Sequence, residues 1–331
     1  MVKAVWLSGT PGAYVLKSCI SVPTPPKGMQ SESPFDQEEL AQVIRKIISD
    51  AKIGPKKVHI ALPDAQVFTK VIDMPPLSEK ELTSAITWEA EQYVPASLAE
   101  MTLSWTVLRQ NAAQDAEKTM QVLLVAAPTA LISRYQNIIK MAGLTAVSIE
   151  TEIISTIRSV VLSAKAPTTL IVSVGSTNST IAIVQDGILV FTYTVPLGGM
   201  GINRAIAVDF GFSLAQAEEY KKVYGISDKN LGAKIGHAIE PILISLLGEV
   251  KKALAFYNER YKTTSPIRQI VLSGGTANLP GMDLYFAHNL GIETLVANPW
   301  NSLGMQNIPQ ALQDTAAQFP VAVGLALKDN E

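Results

Sequence analysis

The feature that most constrains this chain is a strand–turn–strand pattern that occurs twice. The first copy ends Ile20-Ser21-Val22-Pro23 and the second ends Tyr193-Thr194-Val195-Pro196. The letters agree weakly and the pattern closely, and in each copy a proline closes the second strand because it cannot donate to the ladder. A duplicated hairpin predicts two similar α/β lobes, and a cleft between paired lobes is a common place for a ligand. The copies are unequal. The second has a strand and polar loop at 170–179 ahead of its hairpin, whereas the first starts with its hairpin under way. The first lobe is therefore expected to lack its leading strand and loop, through a shortened chain, a misplaced start codon or an altered lobe. A sheet without its inner strand exposes backbone donors and apolar faces.

Around these hairpins the pattern reads as alternating strands and helices. Val2 to Leu7 and Tyr14 to Ile20 form the first hairpin, and a helix is predicted over 36–51, where Leu40, Val43, Ile44, Ile47 and Ile48 recur on one face. Strands follow at 58–62 and 67–72. Ser78 and Glu81 have capping-box spacing at the start of a helix running to about Tyr93. Two strands, at 101–108 and 120–126, and a helix from Pro128 to Gly143 complete a compact α+β insertion at about 77–145. From Thr169 the pattern restarts: a buried-type strand at 170–174, a hairpin turning at Asp186-Gly187, helices near 202–209, 213–224 and 238–262, a strand at 269–272, a helix at 282–290, a short strand at 294–296 and an apolar helix from Pro320. The expected division is a first lobe over 1–168 and a second over 169–331, with a helical part at about 205–265.

Composition excludes several functions. With 331 residues, 47% of them hydrophobic, the chain can bury two cores, and a net charge of −2 with 17% charged residues offers no basic field to hold nucleic acid or an anionic membrane. One cysteine, Cys19, makes no disulfide framework or thiolate cluster and fits a reducing compartment, the cytoplasm. His59, His237 and His288 lack ligand spacing, so no metal site is expected. No charge-free apolar stretch approaches the roughly 18 residues of a membrane span, so any work at a membrane is expected to go through partners.

Four segments carry candidate chemistry. Gly175-Ser176-Thr177-Asn178 follows a buried strand, where glycine lets amides and hydroxyls approach a phosphate; such turns also occur with no ligand. Pro196-Leu197-Gly198-Gly199-Met200-Gly201 precedes a helix whose N-terminal amides could face an anion, or is simply a tight strand-to-helix corner. Ile270 to Asn278 runs a strand into Gly274-Gly275-Thr276, where a flat ligand could lie against bare backbone. Glu218 and Lys221 share a helix face and could bond ribose hydroxyls and a base, or form an ordinary surface pair. Asp64, Asp73 and Glu89 read as packing or surface carboxylates. Trp88, Tyr93 and Trp105 read as an aromatic cluster, core or the rim of a peptide groove.

In this order and on two similar lobes, the four segments resemble the actin and hexokinase superfamily. Within it, Trp88-Glu89-Ala90-Glu91-Gln92-Tyr93-Val94-Pro95, Ala297-Asn298-Pro299-Trp300, Ala217 to Gly225, Leu272 to Gly281 and Gly324-Leu325-Ala326-Leu327 are similar to the PilM family of type IV pilus assembly proteins. The resemblance covers nearly the whole chain. It implies a bilobed actin-like fold of ribonuclease H-like lobes and a scaffold active in pilus assembly and twitching motility, cytoplasmic and peripheral at the inner membrane. The implied partner is a PilN-type inner-membrane protein, bound through its short N-terminal cytoplasmic peptide. ATP would place phosphates at Gly175, Ser176, Thr177 and Gly199, and adenosine at Glu218, Lys221, Gly274 and Gly275. One departure bears on mechanism. The family opens each phosphate loop with Asp-hydrophobic-Gly, and this chain has Ser173-Val174-Gly175, so no catalytic or metal-binding residue is assigned and Mg-ATP hydrolysis is expected to be very slow or absent. The alternatives are an active Mg-ATPase, or another actin-like adaptor such as FtsA or a type II secretion L protein.

Overall fold

The computed structural model describes residues 1–110, 119–161, 165–226, 230–261 and 265–328. The chain divides into two compact units, Met1–Arg158 with Val321–Glu331, and Ser159–Pro320.

In the first unit, β1 (Val2–Ser8) and β2 (Val15–Val22) form the expected antiparallel hairpin, and α1 (Pro34–Asp50) follows with Leu40, Ala41, Ile44 and Ile47 buried. β3 (Lys57–Leu62) leads through a short 3-10 turn at Asp64–Gln66 into β4 (Phe68–Met74). Next come α2 (Glu79–Tyr93), β5 (Met101–Gln110), β6 (Met120–Pro128), α3 (Thr129–Met141), β7 (Thr145–Thr151) and α4 (Glu152–Val160). The capping box at α2 is present, with the Ser78 amide donating to Glu81 Oε2 at 2.9 Å.

Two arrangements here differ from the sequence expectation. β4 lies in a three-stranded antiparallel sheet, β4-β6-β5, so the small sheet recruits its edge from a strand ahead of residue 77. α3 packs with α1 instead: Ile138 and Ala142 share a core with Leu40, Ala41 and Ile44. β7 and α4 were not anticipated. β7 pairs in parallel with β3, from Lys57↔Thr145 to Leu62↔Thr151. Its alternation, with Thr145 and Val147 exposed, is a half-buried strand pattern that abuts α3 without a strong breaker beyond Gly143.

The second unit holds one mixed five-stranded sheet of order β10-β9-β8-β11-β12. Its strands are β8 (Thr169–Val174), β9 (Ser179–Gln185), β10 (Ile188–Val195), β11 (Gln269–Ser273) and β12 (Glu293–Val296). Asp186 and Gly187 turn the β9–β10 hairpin with φ of 53° and 78°, as a two-residue primed turn requires. The helices are α5 (Gly199–Phe210), α6 (Leu214–Tyr224), α7 (Asn230–Tyr261), α8 (Met282–Leu290), α9 (Pro299–Ser302) and α10 (Gln310–Gln313). α7 begins eight residues before the expected 238, the difference of 230 and 238, and runs through Pro241; the expected end at 262 lies outside the described residues.

By length and composition alone α7 could cross a membrane, since an 18-residue stretch within Leu231–Tyr261 has mean hydropathy 1.3. Its Ile235, Ile239, Leu243, Leu246, Val250, Ala253 and Tyr257 recur at three- and four-residue steps and are buried against β8, β9 and β11 in the main core. That face is the packing face of the unit.

α11 (Pro320–Ala326) returns the chain to the first unit, where a polar knot holds it. Arg158 donates to Glu150 Oε1 at 2.5 Å and to the Gly324 carbonyl at 3.1 Å, and Lys328 reaches Glu150 Oε2 at 2.7 Å. A Cβ on Gly324 would lie 1.8 Å from the Ser155 carbonyl, so helix contact requires glycine there. Burial alone would raise the Glu150 carboxyl, but hydrogen bonds from Arg158, Lys328 and Ser155 together hold it below its ordinary value of 4.5. A depressed carboxyl stabilises the fold above its unfolded value and loses that contribution as pH falls through the folded one. Glu150→Ala is expected to cost about 3 kcal/mol in urea unfolding at neutral pH, because two cations lose the carboxylate between them. The difference from the parent should shrink as pH drops below 4.5. An equal difference at acid and neutral pH would show that the carboxylate is not what holds α11.

Candidate functional site

All four candidate segments belong to the second unit, and the structure brings them together. The buried strand β8 delivers Gly175 at its carboxyl end, and β11 beside it delivers Gly274. Gly274 has φ of 89°, and a Cβ there would meet the Val174 carbonyl at 2.4 Å. Glycine is thus needed both for the backbone turn and for the approach of the two strand ends.

The glycines at the start of α5 serve a related close approach. The Gly199 amide donates to the Gly175 carbonyl at 2.9 Å, and the Met200 amide to the Ser176 carbonyl at 2.7 Å. A Cβ on Gly198 would meet the Ser176 carbonyl at 2.6 Å, and one on Gly199 the Thr276 Oγ1 at 2.3 Å. The first amides of α5 are therefore bonded to the 175–176 loop. The sequence left open whether this segment presents helix amides to an anion or makes a tight corner, and in this structure it makes the corner. Thr276, 5% exposed, joins the same point by donating to the Gly175 carbonyl at 3.2 Å.

Beside this knot lies the charged pair on α6. Lys221 Nζ is 2.6 Å from Glu218 Oε2, with side-chain exposures of 8% and 36%. Lys221 is no solvated surface residue. Its Nζ would be 3.5 Å from a Cβ on Gly199, which places the ammonium at the glycine corner. Asn203 of α5, buried, donates to Glu218 Oε2 at 2.6 Å, while its own Oδ1 is buried without a hydrogen-bond partner. Burial would raise the Glu218 carboxyl, but hydrogen bonds from Lys221 and Asn203 and the Lys221 charge hold it below the ordinary range. The carboxylate is thus an ionised acceptor at neutral pH, and Asn203 adds a second. Asn203 escaped the sequence reading because it lies on a different helix from Glu218 and no short spacing links them.

The remaining candidates separate by position. Ser176 and Thr177 face solvent, and Asn178 donates to Thr177 Oγ1 at 2.9 Å. A Cβ on Gly275 would meet nothing within 4 Å, so bare backbone there borders open space, as a flat ligand would need. Ser173 stands on β8, hydroxyl in place of the carboxylate expected in the family pattern.

Two of the candidate carboxylates of the first unit, Asp64 and Asp73, have structural partners. Asp64 Oδ1 accepts from the Ile153 amide at 3.1 Å, capping α4, and Asp73 Oδ1 accepts from Gln121 at 3.2 Å. Trp88, Tyr93 and Trp105 do not form one cluster: Trp105 packs against the core of the small sheet, Trp88 is 62% exposed, and Tyr93 lies under Lys70 Nζ at 3.2 Å from its ring centroid. Among the described residues no group of three or more His, Cys, Asp or Glu could hold a metal ion.

Gly199→Ala is expected to destabilise the second unit by about 1–3 kcal/mol, because the methyl meets the buried Thr276. Gly275→Ala should change stability by less than about 0.5 kcal/mol. Chemical denaturation of the pair checks this, and equal costs would mean that the glycine corner is not packed as described.

Comparison with known proteins follows from this geometry. A family model described as type IV pilus assembly protein PilM matches residues 1–330. The solved structure of a PilM-PilN type IV pilus biogenesis complex contains a chain 28% identical to this one, with TM-score 0.85 over 99% of this chain and 95% of that chain. Looser likenesses are to ethanolamine utilization protein EutJ from Carboxydothermus hydrogenoformans, at 22% identity and TM-score 0.43 over 58% of this chain and 59% of that one. MreB5 of Spiroplasma citri bound to ADP matches at 14% identity and TM-score 0.48 over 96% of this chain and 82% of that one.

Proposed function

Because the chain belongs to the PilM family of type IV pilus assembly proteins, we propose that it is an actin-like cytoplasmic scaffold, held peripherally at the inner membrane by a PilN-type partner whose short N-terminal peptide it binds. The observation that carries this reading is the end-to-end likeness, 0.85 in TM-score, to the chain seen in a PilM-PilN complex. Peptide capture suits a protein with a net charge of −2, which has little electrostatic attraction to an anionic bilayer. Titration calorimetry with a synthetic N-terminal peptide of a PilN-type protein is expected to show binding at micromolar concentration. No heat of binding at that concentration would sink the scaffold reading.

The second unit is proposed to hold an adenine nucleotide, tuning that partner affinity by favouring one arrangement of the chain over another. The support is local: ionised Glu218 and the Asn203 carbonyl oxygen as acceptors, Lys221 as a buried cation, and open space beside the Gly275 backbone. ATP would lie with its ribose near Glu218 and Lys221, its base against Gly274 and Gly275, and its phosphates towards Ser176 and Thr177. With the first amides of α5 already bonded to the 175–176 loop, fewer donors face the phosphates, and affinity is expected to be modest. Ser173 cannot neutralise magnesium as a carboxylate does, so turnover is expected to be very slow or absent.

Gly275→Ala, which leaves the fold intact, should weaken ATP binding about tenfold or more by filling the space beside the backbone. Calorimetry on the parent and this variant, with phosphate release measured on the parent, tests both points. Unchanged affinity would remove the base from this surface. Rapid phosphate release would favour the ATPase alternative.

A further inference from the structure

Positive charge gathers where α1 ends. Arg45, Lys46, Lys52, Lys56 and Lys57 stand close together in sequence with one carboxylate, Asp50, among them, in a protein whose net charge is −2. Three of these cations, Arg45, Lys52 and Lys56, line a cavity of about 410 Å³ together with Ile48, Ser49, Ile53 and Ala142. The three cations are exposed, Ile48 and Ile53 are half-buried and Ala142 is buried, so an apolar floor lies under a charged rim. The whole cavity belongs to the first unit, whereas the four candidate segments belong to the second.

Ordinary structural duties do not account for the lysines. Lysines near a helix end often bond its last carbonyls, but in α1 the backbone does this. The amides of Ala51, Lys52 and Ile53 donate to the carbonyls of Ile47, Ser49 and Ile48 at 3.0, 3.0 and 2.9 Å. Among the described residues neither Lys52 nor Lys56 has an ion-pair partner, and Arg45 is paired with Glu38. Lys52 also stands where the chain elsewhere uses glycine. α3, α5 and α8 are followed by Gly143, Gly211 and Gly291 in the left-handed conformation, whereas α1 is followed by Lys52 at φ of 51°. A side chain there carries backbone strain that glycine would avoid, and in exchange the cavity gains a cation. Lys56 is fixed from the other side, where the Thr145 amide donates to its carbonyl at 2.8 Å.

We propose that this cavity binds a phosphate ester. A phosphate group answers the charge of a guanidinium and two ammoniums better than a single carboxylate does, and the planar fork of Arg45 fits two phosphate oxygens. Ile48, Ile53 and Ala142 give the esterified group an apolar seat, in a space of the size that small-ligand sites have. Two sources carry this chemistry, a soluble ester and an anionic lipid headgroup, and experiment separates them.

Calorimetric titration with glycerol 3-phosphate at low salt tests the soluble source. Binding is expected with a dissociation constant below about 1 mM, weakening as sodium chloride is added. Sedimentation with phosphatidylglycerol vesicles, against phosphatidylcholine vesicles, tests the lipid source. Lys52→Gly should weaken binding about tenfold or more while the melting temperature stays at or above that of the parent, because glycine suits the left-handed position. Lys56→Gln should weaken binding as well, whereas Gly275→Ala in the second unit should leave it unchanged. Lys52-dependent binding of glycerol 3-phosphate alone assigns a soluble ester, and such binding to the anionic vesicles assigns a headgroup. Failure of both probes overturns the proposal, as does binding that Lys52→Gly and Lys56→Gln leave unchanged. A glutamate-rich peptide that binds through Lys52 where neither phosphate probe binds would also overturn it, giving the cavity to an acidic protein segment. None of these readouts requires ATP or a PilN-type partner, so failure here leaves the proposed function standing.

Discussion

The second unit depends on β8 having a strand on each edge. Its Leu170, Ile171 and Val172 are wholly buried, and its pairing to both β9 and β11 leaves the strand no freedom to slip. A one-residue slip would turn the Leu170, Val172 and Val174 set out of the core shared with α5 and α7. Since β8 cannot move, neither can Gly175 at its end, and neither can Gly274, seated on the Val174 carbonyl from the adjacent strand. The candidate site is thus an extension of sheet register. Thr276 and Gly199 are placed by hydrogen bonds to the Gly175 carbonyl, and Lys221 stands beside Gly199.

The same contacts limit what the site can do. Amides at a helix start attract anions only while they remain unbonded. In this unit the first two of α5 bond loop carbonyls, which rigidifies the corner and removes donors from the ligand side. What is left is side-chain chemistry: hydroxyls at Ser176 and Thr177, an ammonium, a carboxylate and an amide oxygen. Those groups can orient a polar ligand with few new constraints on the backbone.

Much of this was legible in the sequence because the signals were local. The Asp186-Gly187 turn, the Ser78–Glu81 cap and the α1 periodicity each arise within a few residues, and the structure contains all three. The glycine segments could be seen, but their partners could not: that Gly199 faces Thr276, or that Gly324 rests on Ser155, is a property of residues brought together by the whole chain. Asn203 shows the same limit, being placed by the packing of α5 on α6. The small sheet was misjudged for a related reason. β4 lies ahead of the expected insertion at about 77–145, yet its seven residues pair with β6, which lies more than forty positions later.

That pairing explains how the small sheet is anchored in the first unit. β3 passes to β4 through Pro63 and the short turn at Asp64–Gln66, and β6 passes directly at Pro128 into α3. Neither connector has slack, and Asp64 is also tied to the α4 amide of Ile153. The sheet β4-β6-β5 is therefore mounted on the ends of two elements already fixed by the α1–α3 core, with α2 packed on one face through Leu82, Ile86 and Ala90. Trp88 lies off that packed stripe, with Tyr93 beyond it, which is why both remain open to solvent. A surface carried on so short a mount keeps its geometry without burying its aromatic side chains, and that is the condition under which an exposed tryptophan can serve recognition at little cost in conformational entropy.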